Sequence, residues 1–172
     1  MVTIRAEISF DVAAREALLN RAFGVKRFRK TSEKLRCGRV PAFSYSAVTS
    51  RGKLIGTVRL WNIIAGSAGA SLLLGPVAVD GKMQGQGVGA ALMAHAIDAA
   101  REAGFDSILL VGDAPYYARF GFNENLTRHL HLPGPVERNR FLGLELAEQA
   151  LDGAEGLVAA SGLIEVDRKL AA

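Results

Sequence analysis

The sequence predicts one mixed α/β domain over residues 1–172, built on a twisted, mostly antiparallel sheet flanked by helices. Leu72 to Val79, a glycine-rich turn, a helical pattern from about Gly87 to Ala103 and the apolar run Ser107 to Val111 make one βαβ crossover, with the last strand buried and parallel to the first. Phe43 to Thr49 and Leu54 to Ile64, joined by Ser50-Arg51-Gly52-Lys53, read as an antiparallel hairpin. Hydrophobic residues fill 49% of the 172 positions, enough for one full core with little left for a second.

Taken in order, Val2 to Ile8 alternates apolar and polar residues as a half-buried strand does. Ser9 or Asp11 caps a helix to about Phe23, with Val12, Leu19 and Phe23 on its apolar face. From Gly24 to Arg39, Lys26, Arg27, Arg29, Lys30, Lys34, Arg36 and Arg39 stand against the one acid Glu33. Such a run either steers an acidic substrate or the coenzyme phosphates toward the site, or is a solvated loop with a short helix. Trp61 is expected in the core or on a sheet face, and Gly66-Ser67-Ala68-Gly69-Ala70 lacks the spacing of a nucleophile elbow. Gly75-Pro76 interrupts its strand, because proline has no N–H for the ladder.

In the helix after the glycine turn, Val88, Leu92, Ala96, Ala99 and Ala103 define the expected core face, with His95 at the surface or its boundary and Gly104 as the stop. Asp113-Ala114-Pro115 opens a short helix, with Asp113 as its cap and proline in the first turn. The pattern then weakens. His129 and His131 project to one side of an extended segment and read as exposed loop histidines, since no third metal ligand is evident. Phe141 to Leu146 is strand-like with Glu145 opposite its apolar neighbours, a short helix follows Leu151, and Leu163 to Arg168 forms a final strand.

The chemistry concentrates between Leu72 and Phe122. Glycines at 85, 87 and 89 leave the backbone uncovered at the start of a helix, so several N–H groups and the positive end of the helix dipole converge on one anion. Two kinds of phosphate site use this device. Gly85, Gly87 and Ala90 fit the dinucleotide fingerprint, with Asp113 as its ribose-binding acid. A dinucleotide-binding strand, however, runs directly into its first glycine, whereas Asp80 to Gln84 intervene here, and too little chain follows Asp113 for a second mononucleotide-binding half.

The spacing Gln84-x-x-Gly87-x-Gly89 resembles the coenzyme-binding signature of the GNAT superfamily of acyl-CoA-dependent N-acetyltransferases. Tyr116-Tyr117-Ala118-Arg119-Phe120-Gly121-Phe122 is similar to that family's aromatic-Tyr-x-Lys/Arg-x-Gly-Phe segment. With the Leu-Gly-Pro-x-Ala-Val strand at Leu74 to Val79, the likeness is strongest to the bacterial YhbS-like branch.

The resemblance implies a GNAT-like sheet split at a central bulge, acetyl-CoA as cosubstrate, and a small-molecule or protein amine as acceptor. It puts the pantetheine arm on the open backbone of Val77, Ala78 and Val79. The pyrophosphate goes to Gln84, Gly85, Gln86, Gly87, Val88, Gly89 and Ala90. Tyr117 corresponds to the general acid and Tyr116 is left as the core aromatic; Arg119 either reaches a coenzyme phosphate or is solvated. A thiolate whose thiol has a pKa of about 8.5 is a group that a phenol of pKa about 10 can stabilise or protonate.

Two departures from the family matter. Leu72, Leu73, Leu74, Gly75 and Pro76 supply no carboxylate where many members keep a general base, and Gly112-Asp113 stands where an asparagine is common. A second class of function also fits the glycine loop: a sensor or interaction module that binds acyl-CoA without turnover.

Composition narrows the rest. A single cysteine, Cys37, excludes an internal disulfide and a cysteine-based zinc cluster. A net charge of +4 favours anionic partners, but no nucleic-acid-binding signature accompanies it. No apolar run reaches membrane-spanning length and the first residues lack the order of a signal peptide. The expectation is a cytoplasmic monomer or homodimer with no metal, no membrane and no nucleic acid.

Overall fold

The computed structural model describes residues 1–166. Strands β1 (Val2–Ala6), β2 (Phe43–Thr49), β3 (Leu54–Ala65), β4 (Ala70–Val79), β5 (Ser107–Val111) and β7 (Phe141–Glu145) form the sheet path β1-β2-β3-β4-β5-β7. Every neighbour on that path is antiparallel except β4 and β5. Two strands lie off it: β6 (His129–His131) pairs in parallel with β8 (Glu155–Ala160), which in turn pairs with the far end of β3.

Alternation along β4 sorts the core into two layers. Leu72 and Leu74 turn to one face with Leu60, Ile108, Leu110 and Leu142, where helix α2 (Val88–Glu102) covers them. Leu73 turns to the other with Trp61, Ile63, Leu109 and Phe141, covered by Leu35, Leu130 and Leu151. This period-2 division is what burial of a sheet on both faces requires.

Helix α1 (Val12–Phe23) lies against β2 to β4 through Leu18 and Leu19, while Val12 and Phe23, expected on its apolar face, are exposed. The third buried position is Arg15, whose guanidinium pairs with the Glu7 carboxylate. The same carboxylate accepts from Arg59 on β3 at 2.9 Å. A charged residue buried by pairing rotates the buried face away from the one that apolar residues alone define.

The buried face of α2 is Val88, Leu92, Met93, Ala96, Ile97 and Ala100, so the small Ala99 and Ala103 turn outward instead. His95 is exposed, as expected, and meets Tyr45 edge to face at 4.4 Å between centroids.

The segment after Leu151 is a strand, not a helix: Glu155 to Ala160 finds unsatisfied backbone partners on β6 and β3, which local propensity does not reveal. Of the expected strand from Leu163 to Arg168, only an isolated bridge between Ile164 and Arg39 is seen, and residues 167 and 168 lie outside the described residues.

Candidate active site

The site exists because β4 and β5 part company. Their parallel pairing covers only Leu72 with Ile108 and Leu73 with Leu109. Just beyond, the β3–β4 register shifts: Val58 faces Val77 and Leu60 faces Leu74, so Gly75 and Pro76 stand opposite the single residue Arg59. This is the expected β-bulge, and it turns β4 away from β5. Trp61, 6% exposed, fixes the distortion by donating its indole Nε1–H to the Gly75 carbonyl at 2.7 Å. From Gly75 to Val79, β4 has among the described residues a strand partner only on its β3 side.

Two adjoining hollows lie along the gap. A cleft of about 680 Å³ reaches the bulge and is walled by Trp61, Leu74, Gly75, Pro76, Tyr116, Tyr117 and Arg140, together with much of the 25–36 segment. A groove of about 750 Å³ follows Val77, Ala78 and Val79 past Lys82 to Gln84, with Arg21 and Phe23 of α1 on its other side. Val77 and Phe23 line both, so the two hollows adjoin along β4, the first at the bulge and the second ending at Gln84 beside the glycine loop.

The loop is built as its composition dictates. A 3-10 turn, Gly81–Met83, opens with the Asp80 carboxylate accepting the Lys82 N–H at 3.0 Å. Gly87, at φ +78°, is the left-handed cap from which α2 starts. The N–H groups of Gly85, Gly87, Val88, Gly89 and Ala90 have no hydrogen-bond partner among the described residues, whereas Ala91 already bonds back to the Gly87 carbonyl at 3.0 Å. A row of free donors at a helix N-terminus is an anion cradle. Gln84 and Gln86 are exposed beside it, Gln86 tied by its side chain to the Lys82 carbonyl at 3.2 Å.

The opposite wall is α3 (Ala114–Ala118), which follows β5 directly. Its tyrosines differ from the expectation in one respect. Tyr117, not Tyr116, packs on the core with Phe122, at 6.1 Å between centroids. Tyr116 instead crosses the cleft, where its hydroxyl lies 3.1 Å from the position a Cβ would take at Gly89. The side chain is long enough to span the gap to α2, which spacing within α3 alone does not show. The Arg119 guanidinium stacks on the Tyr116 ring at 4.6 Å.

Tyr117 still faces the cleft, and its ring occupies the space that only a glycine at 112 leaves open, because a Cβ there would overlap Tyr117 Cε2. Burial chiefly, with help from Tyr116 and Asp113 and against the pull of Arg140, pushes the Tyr117 phenol up to about 12. It is therefore a hydrogen donor throughout the physiological range. Asp113 begins α3, but its side chain makes no cap hydrogen bond and is exposed at the cleft.

The basic run, which sequence alone leaves between solvated loop and substrate guide, forms two 3-10 helices, Val25–Arg29 and Thr31–Leu35, that wall the cleft. Arg27 anchors the first to α1 through Glu16 and through Asn20 Oδ1 at 3.0 Å. Thr31 and Lys34 tie the second to the carbonyls of Pro135 and Pro133, at 2.6 and 2.9 Å, so the C-terminal half closes the pocket. Arg140 reaches the same cleft from that half, a residue for which the sequence gives no signal.

His129 and His131 are exposed on β6, away from this site, and among the described residues no cluster of three or more His, Cys, Asp or Glu is placed to hold a metal ion. Nor is any described helix long and apolar enough to cross a membrane.

A mostly antiparallel sheet opened at a bulged strand, with a glycine-loop anion cradle beside the opening, is an acyltransferase architecture. Residues 13–122 match the Acetyltransferase (GNAT) family, and the chain belongs to that family. It is 31% identical over 156 residues to the N-acetyltransferase YhbS of Escherichia coli K12, itself uncharacterized, covering 90% of this chain and 93% of that one. The crystal structure of E. coli YhbS in complex with CoA superposes with a TM-score of 0.79 at 30% identity, covering 93% of this chain and 89% of that one. A GNAT family acetyltransferase of Brucella melitensis in complex with acetyl-CoA gives a TM-score of 0.69 at 26% identity, with 94% and 96% coverage.

Proposed function

We propose that this enzyme transfers an acetyl group from acetyl-CoA to a primary amine by direct attack, with Tyr117 as the proton-bearing group at the departing sulfur. The observation that carries the reading is the unpartnered N–H groups of Gly85, Gly87, Val88, Gly89 and Ala90 beside a groove along Val77 to Gln84 that adjoins the cleft at the Gly75 bulge. Those donors, with Gln84 and Gln86 beside them, hold the pyrophosphate. The open edge of Val77 to Val79 pairs with the amides of the pantetheine arm, as an added strand would. Arg119, held on the Tyr116 ring next to Gly89, adds a cation for a phosphate. The crystal structures of the two relatives, one in complex with CoA and one with acetyl-CoA, support the same ligand here.

Bound acetyl-CoA supplies an activated thioester carbonyl. The residues of the chain then have three tasks. The bulge at Gly75 and Pro76 leaves the strand open where the acyl group ends, the walls of the cleft confine the amine to one approach, and Tyr117 Oη–H donates to the sulfur as the carbon–sulfur bond breaks. With a phenol pushed up to about 12, Tyr117 keeps its proton and stabilises the developing thiolate by a hydrogen bond; the sulfur leaves as the thiolate and takes its proton from solvent. An ammonium acceptor must lose a proton before attack. No carboxylate stands on β4 between Leu72 and Pro76, and Asp113, free of any cap bond, is the carboxylate beside Tyr117 that can take it through water.

The test is mass spectrometry of an amine panel incubated with acetyl-CoA, comparing wild type with Tyr117→Phe. Acetylated product that falls about 100-fold in the variant supports the reading. CoA binding without transfer to any amine would favour the acyl-CoA sensor instead.

A further inference from the structure

Three cations gather at the inner end of the cleft with one carboxylate between them. Arg36, its side chain only 10% exposed, uses Nε and Nη2 on Glu33 at 3.2 and 3.1 Å. Its Nη1 makes no hydrogen bond among the described residues and lies 3.8 Å from where a Cβ would stand on Gly75, beside the bulge. Lys30 rests over the Phe23 ring at 4.7 Å and Arg140 enters from the C-terminal half; neither makes an ion pair among the described residues. Of the other cationic side chains lining the cleft, Arg27 pairs with Glu16 and Arg59 with Glu7, and Arg29 is exposed with no ion pair among the described residues. Asp113 and Glu137 line the cleft too, but neither pairs with this group.

We propose that the acceptor is a small primary amine carrying a carboxylate or phosphate, and that Arg36, Lys30 and Arg140 hold that anion beside the bulge. This rests on the acetyltransferase reading and specifies its substrate class. Lys30 and Arg140, which have no ion pair among the described residues, repel each other and Arg36, whose charge Glu33 offsets only through Nε and Nη2; an anion placed among them relieves that repulsion while gaining charge-assisted hydrogen bonds. The mutual effect is visible in Lys30, whose ammonium is pushed down by burial first and then by Arg36 and Arg140. The coenzyme pyrophosphate does not meet this demand, because its cradle lies at the far end of the groove, past Val79. Polyamines and lysine-like acceptors add a cation where three already stand. The closeness of Arg36 Nη1 to Gly75 limits the acceptor to few bonds between anion and amine, so that the amine still reaches a thioester at the bulge.

The test measures kcat/KM with acetyl-CoA, by CoA thiol release, for pairs of amines that differ only as carboxylate against carboxamide or phosphate against hydroxyl. The anionic member of a pair is favoured at least about tenfold, and whichever pair shows it identifies the anion. Arg140→Gln and Lys30→Gln each shrink that ratio by about tenfold, while Arg128→Gln, exposed and outside the cleft, leaves it unchanged. Equal rates within each pair, a preference for polyamines or peptide N-termini, or variants that lower both members alike would overturn the inference. Transfer indifferent to charge, with CoA still bound in calorimetry, sinks this inference alone. Failure to bind CoA and to acetylate any amine sinks the acetyltransferase reading with it.

Discussion

At the residue scale, turnover depends on Tyr117 and on the glycine at 112 that makes room for its ring. Tyr117→Phe removes one oxygen from a ring that otherwise packs unchanged, so kcat falls about 100-fold while the KM for acetyl-CoA stays within about twofold, as steady-state kinetics would show. Because the phenol is pushed up to about 12, wild-type kcat/KM does not decline between pH 7 and 10 on account of Tyr117 ionisation; a basic limb there that disappears in Tyr117→Phe would contradict this. Gly112→Ala adds a methyl where the Tyr117 ring lies, and a displacement of the order of 1 Å costs about 100-fold in kcat with the Kd for CoA unchanged. That Tyr117 would face the cleft was readable from sequence, because its place four residues before Gly121 is local. The role of Tyr116 was not, since it depends on how far the side chain reaches across the cleft to α2.

At the scale of elements, β4, the glycine loop and α2 act as one device. A bulge opens the strand, glycines clear the backbone, and the helix starts with its donors exposed. Gly87→Ala forces a side chain into the left-handed conformation at φ +78° and displaces those donors. The expected result is at least a tenfold rise in the Kd for CoA by calorimetry, with a fall in Tm of about 2–4 °C for about 1 kcal/mol of strain. These elements were legible because Gly, Pro and the period of apolar residues are local signals. Helix α1 was less so: Arg15 lies in its buried face, satisfied by Glu7 from a different strand, and no pattern within the helix announces that partner. For the same reason β8 was missed, its strand conformation being imposed by β6 and β3.

At the scale of the molecule, charges hold the N-terminal part of the sheet to α1 and charges define the cleft. Asp11 is 5% exposed and accepts from both Arg5 guanidinium nitrogens at 2.6 and 3.0 Å, from the Ile8 N–H at 3.0 Å and from Ser46 at 2.9 Å. These bonds, that from Arg5 foremost, outweigh burial and lower its carboxyl from 3.8 to about 2. A carboxylate whose pKa is depressed in the folded state adds stability above its unfolded pKa, and that stability drains away as pH falls from about 4 through 2. Asp11→Asn therefore lowers the unfolding free energy in urea by about 2 kcal/mol at pH 7 and by much less near pH 2. The cationic cleft belongs to this scale as well. Sequence shows the basic run, but Arg36 and Arg140 line one cleft only once the chain has folded, so the run's likeness to a solvated loop could not be resolved locally.

The most direct test is a crystal structure of the enzyme grown with CoA. The account predicts pyrophosphate oxygens within hydrogen-bonding distance of the N–H groups between Gly85 and Ala90, the pantetheine amides paired with Val77 to Val79, and the sulfur beside the Tyr117 hydroxyl. CoA bound elsewhere with that loop bare, or a sulfur remote from Tyr117, would contradict it.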